Sequence, residues 1–476
     1  NTYTGGTTFS QGTLTINAGS LIPAATDPLK GLILNNTGLT TTFAAAVAPA
    51  NIITLNAGAN ITYFGNNTQA GLIFNNLGGT GNPTVRTFNT AGISSATGVL
   101  TIGSAGITVT SANVGTMAFI EGRVDFGATA KTINVGAFEI NGATDVAPLQ
   151  AAFLLQGIVG SAGGINKTGN GVLQLNAQAN FTGAFNVTAG GLKIGVTNAG
   201  SRFSALTLGA GTRLDLNNQN TAWGSLAGSG DVFSSAGTPT LTFGFDNSST
   251  TFSGRFVRFN DAAYAQLQKV GSGQLTLNTA QDAEGSWSTF TVNGGVVQYQ
   301  DAGRAYVVTG AASRSTFNLN TAGVLSLANG ATAVNNRLGL NVDGILAVQG
   351  GRFSLSGNAG SAVTETIANF NVTNGGGRVE LSPVAGQNLR LAITNLSGGN
   401  STGTLVIGGL TGNQDGAGVA NVSITNANYI NDAQQGNLGV LARNGSTNMK
   451  VRGDILADAS ATGLGTGFLV RDTVAL

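Results

Sequence analysis

The sequence contains no cysteine and no histidine in 476 residues. The first absence excludes disulfides, thiolate metal sites and a cysteine nucleophile. The second removes the usual general base and the commonest transition-metal ligand. Charge is scarce as well: charged residues make up 9%, against about 25% in a typical globular protein. With 21 basic and 20 acidic residues spread thinly, the chain carries no electrostatic footprint for nucleic acid. No run approaches the roughly 18 consecutive apolar residues of a transmembrane helix, so no helical membrane embedding is expected. The most apolar stretch, PLQAAFLLQGIVG at 148–160, holds two glutamines and reads as a buried strand or a single helical turn. The chain opens at Asn1 with neither Met nor a basic-then-apolar leader, as expected of a mature, processed or excised segment.

What is present is glycine and aliphatic alternation. Glycine occupies 74 positions, roughly double the usual ~7%. Apolar residues make up 41% and the net charge is +1, the opposite of the low hydrophobicity and high charge that define disorder. The polar surface is therefore built from Asn, Thr, Ser and Gln.

Self-similarity explains the glycine. Residues 165–195 read INKTGNGVLQLNAQANFTGAFNVTAGGLKIG. A shift of 102 residues places Lys167 on Lys269, Gly169 on Gly271, Gly171 on Gly273, Leu173 on Leu275, Leu175 on Leu277 and Gly183 on Gly285. After a two-residue slip, Gly190-Gly191 meets Gly294-Gly295. The N-terminus supplies a third, truncated copy, with Tyr3 on Phe181, Gly12 on Gly190, Leu14 on Leu192 and Ile16 on Ile194. A weaker Gly-x-Leu-x-Leu pattern recurs as GVLTIG at 98–103, GTRLDLN at 211–217, GVLSLANG at 323–330, GRFSLSG at 351–357, GRVELS at 377–382 and GTLVIGG at 403–409.

Alternation with period 2 predicts strands with one apolar face and one face of Thr, Asn, Gln or Lys. Strands of two or three apolar residues do not hold a hairpin fold together. Wound into a coil, each stacks on its equivalent one turn above and below, and glycine and asparagine supply corners that need positive φ. The expected fold is all-β: a right-handed parallel β-helix, a β-solenoid. At about 20–22 residues per turn it has about 20 turns, a rod on the order of 100 Å long. Residues 1–300 carry recognisable repeats and 301–476 continue the helix with diverged ones. Asn17, Asn176 and Asn278, each following a strand, read as solvated turn residues, with stacked ladders as the second reading.

KTGNGVLQLNAQANFTGAFNVTAGGLKIG and NTYTGGTTFSQGTLTIN resemble the autotransporter-associated β-strand repeat, as do SLAGSGDV at 225–232 and DNSSTTFSG at 246–254. The resemblance covers 1–17 and 165–300; beyond 300 it is compositional. It implies a passenger-like segment of a large bacterial surface protein, folded as a right-handed parallel β-helix outside an outer membrane of the Gram-negative type. It brings no catalytic residues with it. The chain departs from the family in starting halfway through a repeat and in ending FLVRDTVAL without amphipathic barrel strands. The expectation is that a translocating barrel was removed, was never present or lies outside this chain.

Glu121, Arg123 and Asp125 in FIEGRVDFG alternate and so are expected on one strand face. They read either as an acid–cation–acid cleft for glycan chemistry or, the preferred reading, as a self-neutralising charge ladder. Arg255, Arg258 and Asp261 in GRFVRFNDAAY, beside Phe256 and Phe259, form a second candidate glycan-contact patch, with a solvated loop preferred. Asp282 and Glu284 in QDAEG offer carboxylates without the Gly-Gly-x-Gly-x-Asp calcium repeat. NKT at 166–168 and NFT at 180–182 match glycosylation sequons, which Asn/Thr-rich sequence produces by chance. The residues thus predict no catalytic site, no metal and no cofactor.

Three functions follow for comparison. The first is a non-enzymatic extracellular or cell-surface structural or adhesive solenoid. It self-associates end to end or with further repeats of the same protein, because a solenoid's terminal turns expose strand edges; host or environmental glycans are candidate ligands. The alternative is a glycan-binding or polysaccharide-degrading β-helix of the tailspike or lyase kind. A transmembrane β-barrel, the third, lacks the aromatic girdles it needs.

Overall fold

The computed structural model describes the chain outside residues 1–2, 18–20, 88–97, 145, 261, 281–286, 306–314, 342, 374, 399–402, 413–414, 430–450, 459–466 and 471–476. The chain divides into two compact units, Asn1–Leu241 and Thr242–Leu476. Each is a parallel β-solenoid, and the fading of the motif near residue 300 falls inside the second. A 3₁₀ turn, Pro28–Lys30, is the only helical element among the described residues.

In the first unit a full turn has three sides. Ile158–Gly160, Ile165–Thr168 and Val172–Leu175 make one turn. They stack in parallel on Arg123–Asp125, Lys131–Phe138 and Ala151–Leu155 of the turn before. The apolar stretch at 148–160 supplies Ala151–Leu155, a strand buried along its whole length, and then Ile158–Gly160. One side is a ten-stranded sheet that runs from Thr13–Ile16 to Asp231–Phe233. It has two ends, so the barrel reading does not hold.

Leu173 pairs with Leu192, Leu192 with Leu214 and Leu214 with Val232, all fully buried. On a second side Leu32, Ile53, Leu72, Ile107 and Ile133 are successive parallel partners, none more than 1% exposed. These columns are the core: each aliphatic side chain leaves water by lying on its counterpart one turn away. Lys167, Val187, Leu208 and Gly228 are also successive partners, a return every 20–21 residues. Elsewhere loops such as 139–150 lengthen the turn.

The corner glycines of the repeat have the left-handed backbone that requires them: φ is +73° at Gly169 and +69° at Gly190, and +68° at Gly271 and +63° at Gly295 in the second unit. This corrects the internal alignment. Gly190 is equivalent to Gly295, not Gly294, because Leu173 pairs with Leu192 whereas Leu275 pairs with Val297. The slip between copies is three residues. The truncated N-terminal copy fits without adjustment: Thr13–Ile16 matches Gly191–Ile194, and Gly12 has φ +79°.

The second unit repeats the scheme with longer strands. Thr316–Ala328 pairs with Ile345–Gln349 through its first half and with Arg352–Ser356 through its second. Trp287, Phe290 and Phe317 pack against one another in its core, with centroids 4.7–5.8 Å apart. Val451–Asp458 and Gly467–Val470 form an antiparallel ladder.

Outside the core asparagines do stack, mostly away from the positions read from sequence; of those, Asn17 is exposed and accepts from Thr42 Oγ1 of the next turn (3.4 Å). Asn35 donates to Ser10 Oγ (3.1 Å), Asn56 to Asn35 (2.6 Å), Asn75 to Asn56 (2.8 Å) and Thr110 Oγ1 to Asn75 (3.0 Å). Each member donates to the turn before it. Asn176 instead accepts from Gln174 of its own turn.

Candidate functional site

The expected constellation at 121–125 does not share a face. Gly122, with φ +113°, turns a corner between Ala118–Glu121 and Arg123–Asp125, which belong to different sheets. Glu121 accepts from Arg86 Nε of the neighbouring turn at 2.8 Å, an ion pair set by the register Arg86↔Glu121. Asp125 Oδ1 instead accepts from the backbone N–H of Gly127 (2.7 Å). Gly160 pairs with Asp125 in the next turn, where a Cβ would collide with that carboxylate. Arg123 is exposed, and its backbone N–H donates to Thr87 Oγ1 (2.7 Å). Strict alternation failed here because it assumes an unbroken strand, and the glycine inside EGR is itself the signal of a break.

Arg255 and Arg258 are half-buried, and Arg258 lies over the Tyr264 ring at 5.7 Å and donates to Asn260 O (3.1 Å). Phe256 packs on Phe252 (5.1 Å) in the core, so only Phe259 of that pair reaches the surface. Asp261, Asp282 and Glu284 lie outside the described residues. Among the described residues no group of three or more His, Cys, Asp or Glu is placed to hold a metal ion, and no helix is long and apolar enough to cross a membrane.

The charged residues that do converge were expected on the surface. Lys167 and Lys269, the matched lysines of the repeat, point inward. Lys167 takes the column place between Ile133 and Val187 and is fully buried. Its ammonium donates to the carbonyls of Gly169 (2.5 Å), Gly171 (2.6 Å) and Ala189 (2.8 Å). It thereby ties the glycine corner of one turn to the corner of the next. Lys269 repeats this with Val270 (2.5 Å), Gly271 (3.2 Å) and Gly294 (3.5 Å). Burial lowers the Lys167 ammonium to about 7 and that of Lys269 to about 8, the latter opposed by Asp246. The parity was readable, since Lys167 lies two residues from the inward Ile165.

In the second unit Arg337 and Glu365 are both fully buried. The Glu365 carboxylate accepts the backbone N–H of Arg337 (2.6 Å) and of Leu338 (2.9 Å). The Arg337 guanidinium donates to Asn329 Oδ1 (2.9 Å), to Asp301 O and Thr332 O (3.1 Å each) and to Gly303 O. One side chain thus satisfies acceptors at 301–303 and at 329–332, and its own backbone is held from 365. Burial pushes the Glu365 carboxyl up to about 7, opposed by the two N–H groups and by the Arg337 and Arg304 charges. A folded-state value above the ordinary one gives stability that is complete below about pH 4.5 and lost as pH rises through about 7. The melting temperature of the chain is therefore expected to fall between pH 5 and pH 7.5, and Glu365→Gln is expected to flatten that fall; a wild-type profile without it would contradict the burial argument.

These arrangements are all chemistry spent on holding turns together: carbonyls capped, charges paired across turns, acceptors filled. No protein-family model, curated protein or solved structure matches the chain.

Proposed function

We propose that this chain is a non-enzymatic structural or adhesive β-solenoid of the bacterial cell surface or extracellular space. In this reading it associates end to end with copies of itself or with further repeats of the same protein. The observation that carries the reading is the first turn. Thr7–Phe9 and Thr13–Ile16 pair on one side with Leu32–Asn35 and Gly38–Thr41, and no described strand covers their other side. Phe9 and Leu14, at column positions, are half-exposed, whereas Leu34 and Leu39, their partners in the next turn, are at most 1% exposed. A row of unpaired parallel backbone groups over an open apolar column is a template for another turn of the same kind. The resemblance of the Lys-Thr-Gly-x-Gly-x-Leu strand to autotransporter-associated repeats supports the surface location. Glu121 and Asp125, the pair on which the enzymatic alternative rests, belong to different sheets, which weighs against that alternative.

The carbonyl of Ile16 accepts from Thr42 of the second turn, so parallel alternation turns the Thr15 N–H to the open side. Thr15→Pro removes that donor without touching the pairing to Gly38–Thr41. Electron microscopy and light scattering of the purified chain are expected to show concentration-dependent linear assemblies for the wild type and dispersed particles for Thr15→Pro. A wild-type chain that stays dispersed at all concentrations sinks the end-to-end reading.

A further inference from the structure

The ladder Ser10–Asn35–Asn56–Asn75–Thr110 stops where the next turn has nothing to offer it. At Thr110 the register slips: Val109 pairs with Val135 and Ser111 with Phe138, so Gly136 and Ala137 together face one residue, a β-bulge. Neither has a polar side chain. Thr110 spends its proton on Asn75, so its hydroxyl oxygen is left as an acceptor toward the bulge. On the following turn, the exposed Asn170 lines the same space. The gap opens into a groove of about 430 Å³, inside the range of about 300–1,000 Å³ typical of small-ligand sites. The bulge residues Gly136 and Ala137 line it, together with Leu77, 62% exposed, Glu139 and Thr144.

We propose that this groove binds a neutral oligosaccharide, with one sugar hydroxyl seated over the bulge. That hydroxyl donates to Thr110 Oγ1, where the next ladder member is missing, and accepts from the Asn170 amide, extending a chain in which every bond is already polarised the same way. A sugar ring fits over the small residues Gly136 and Ala137, and its C–H face lies against Leu77. Among the described residues of the lining Glu139 is the only ionisable one: it accepts from paired hydroxyls and repels a uronic acid. The site is independent of end-to-end assembly, so either can fail alone.

Calorimetric titration of the full chain with cellohexaose, maltohexaose and laminarihexaose, and with a galacturonate oligomer, tests it. At least one neutral hexamer is expected to bind and the galacturonate oligomer is not. Ala137→Leu, which puts a bulky side chain into the lining, and Leu77→Asp, a surface change, are each expected to weaken binding by about tenfold or more, the scale of one lost apolar or polar contact. Glu139→Gln is expected to keep neutral binding and admit the acidic oligomer. No binding of any neutral hexamer at millimolar concentration overturns the proposal. So does binding that Ala137→Leu and Leu77→Asp, both folded by their melting curves, leave unchanged.

Discussion

Lys167→Met is expected to destabilise the first unit by about 2–4 kcal/mol, although it replaces a buried charge by an apolar side chain of similar length in an aliphatic column. On hydrophobic grounds alone the substitution looks favourable, because Ile133 and Val187 lie on either side. The opposing effect is the fate of the acceptors. Methionine leaves the carbonyls of Gly169 and Ala189 at a part-buried corner without the ammonium donor, and orphaned buried acceptors cost about 1–3 kcal/mol each. Lys269→Met makes the same change where two of the three contacts are longer, at 3.2 and 3.5 Å, so its effect is expected to be smaller. Chemical denaturation of both variants gives the ordering. Stability also carries a pH signature. Because burial lowers the Lys167 ammonium from 10.5 to about 7, the folded chain sheds the proton first. The wild type therefore gains stability as pH rises from about 7 to about 10.5, and Lys167→Met loses that gain. A variant as stable as the wild type would show the lysine to be a tolerated burial and not a corner cap.

Arg337→Met is expected to cost the second unit about 3–5 kcal/mol, since several acceptors lose one buried donor at once and each orphaned acceptor costs about 1–3 kcal/mol. The change removes donors from Asn329, Asp301, Gly303 and Thr332 at once, and it takes away a positive charge that opposes the burial of the Glu365 carboxylate. Adding Glu365→Gln to Arg337→Met is expected to recover part of the loss: it removes the buried negative charge, and its single carbonyl oxygen keeps one of the two N–H groups that the carboxylate oxygens accept separately. Additive losses in the double variant would mean that the two groups do not share one network.

The sequence made the repeating architecture legible because its signals are local. A Leu-x-Leu or Phe-x-Leu pair flanked by glycine is a short strand at 173–175 and 353–355 and the second half of a longer strand at 325–327, with inward leucine or phenylalanine in all three. The fine register was not legible at Gly294-Gly295, where two adjacent glycines align equally well and only backbone φ tells which one makes the corner. The candidate cleft at 121–125 failed for a related reason: one glycine converts an alternating strand into two faces. The buried charges are a different case. Lys167 follows Ile165 by two residues, and Glu365 lies between the inward Val363 and Ile367, so parity marks both as core positions. Polarity argued against that placement. What resolved the conflict, a ring of backbone acceptors or donors from neighbouring turns, arises only once the coil is wound.

Winding in register is the claim beneath all of this, and a chain without native cysteine allows it to be tested cleanly. Gln174 and Lys193 are paired on adjacent turns with both side chains on the outer face. Strands in neighbouring turns lie about 4.8 Å apart, within the range a disulfide spans. Oxidation of the double variant Gln174→Cys/Lys193→Cys should give near-complete intramolecular cross-linking, whereas Gln174→Cys/Leu192→Cys, one residue out and on opposite faces, should give none. Cross-linking in the second pair and not the first would contradict the parallel stacking on which the core, the lysine caps and the polar ladder all rest.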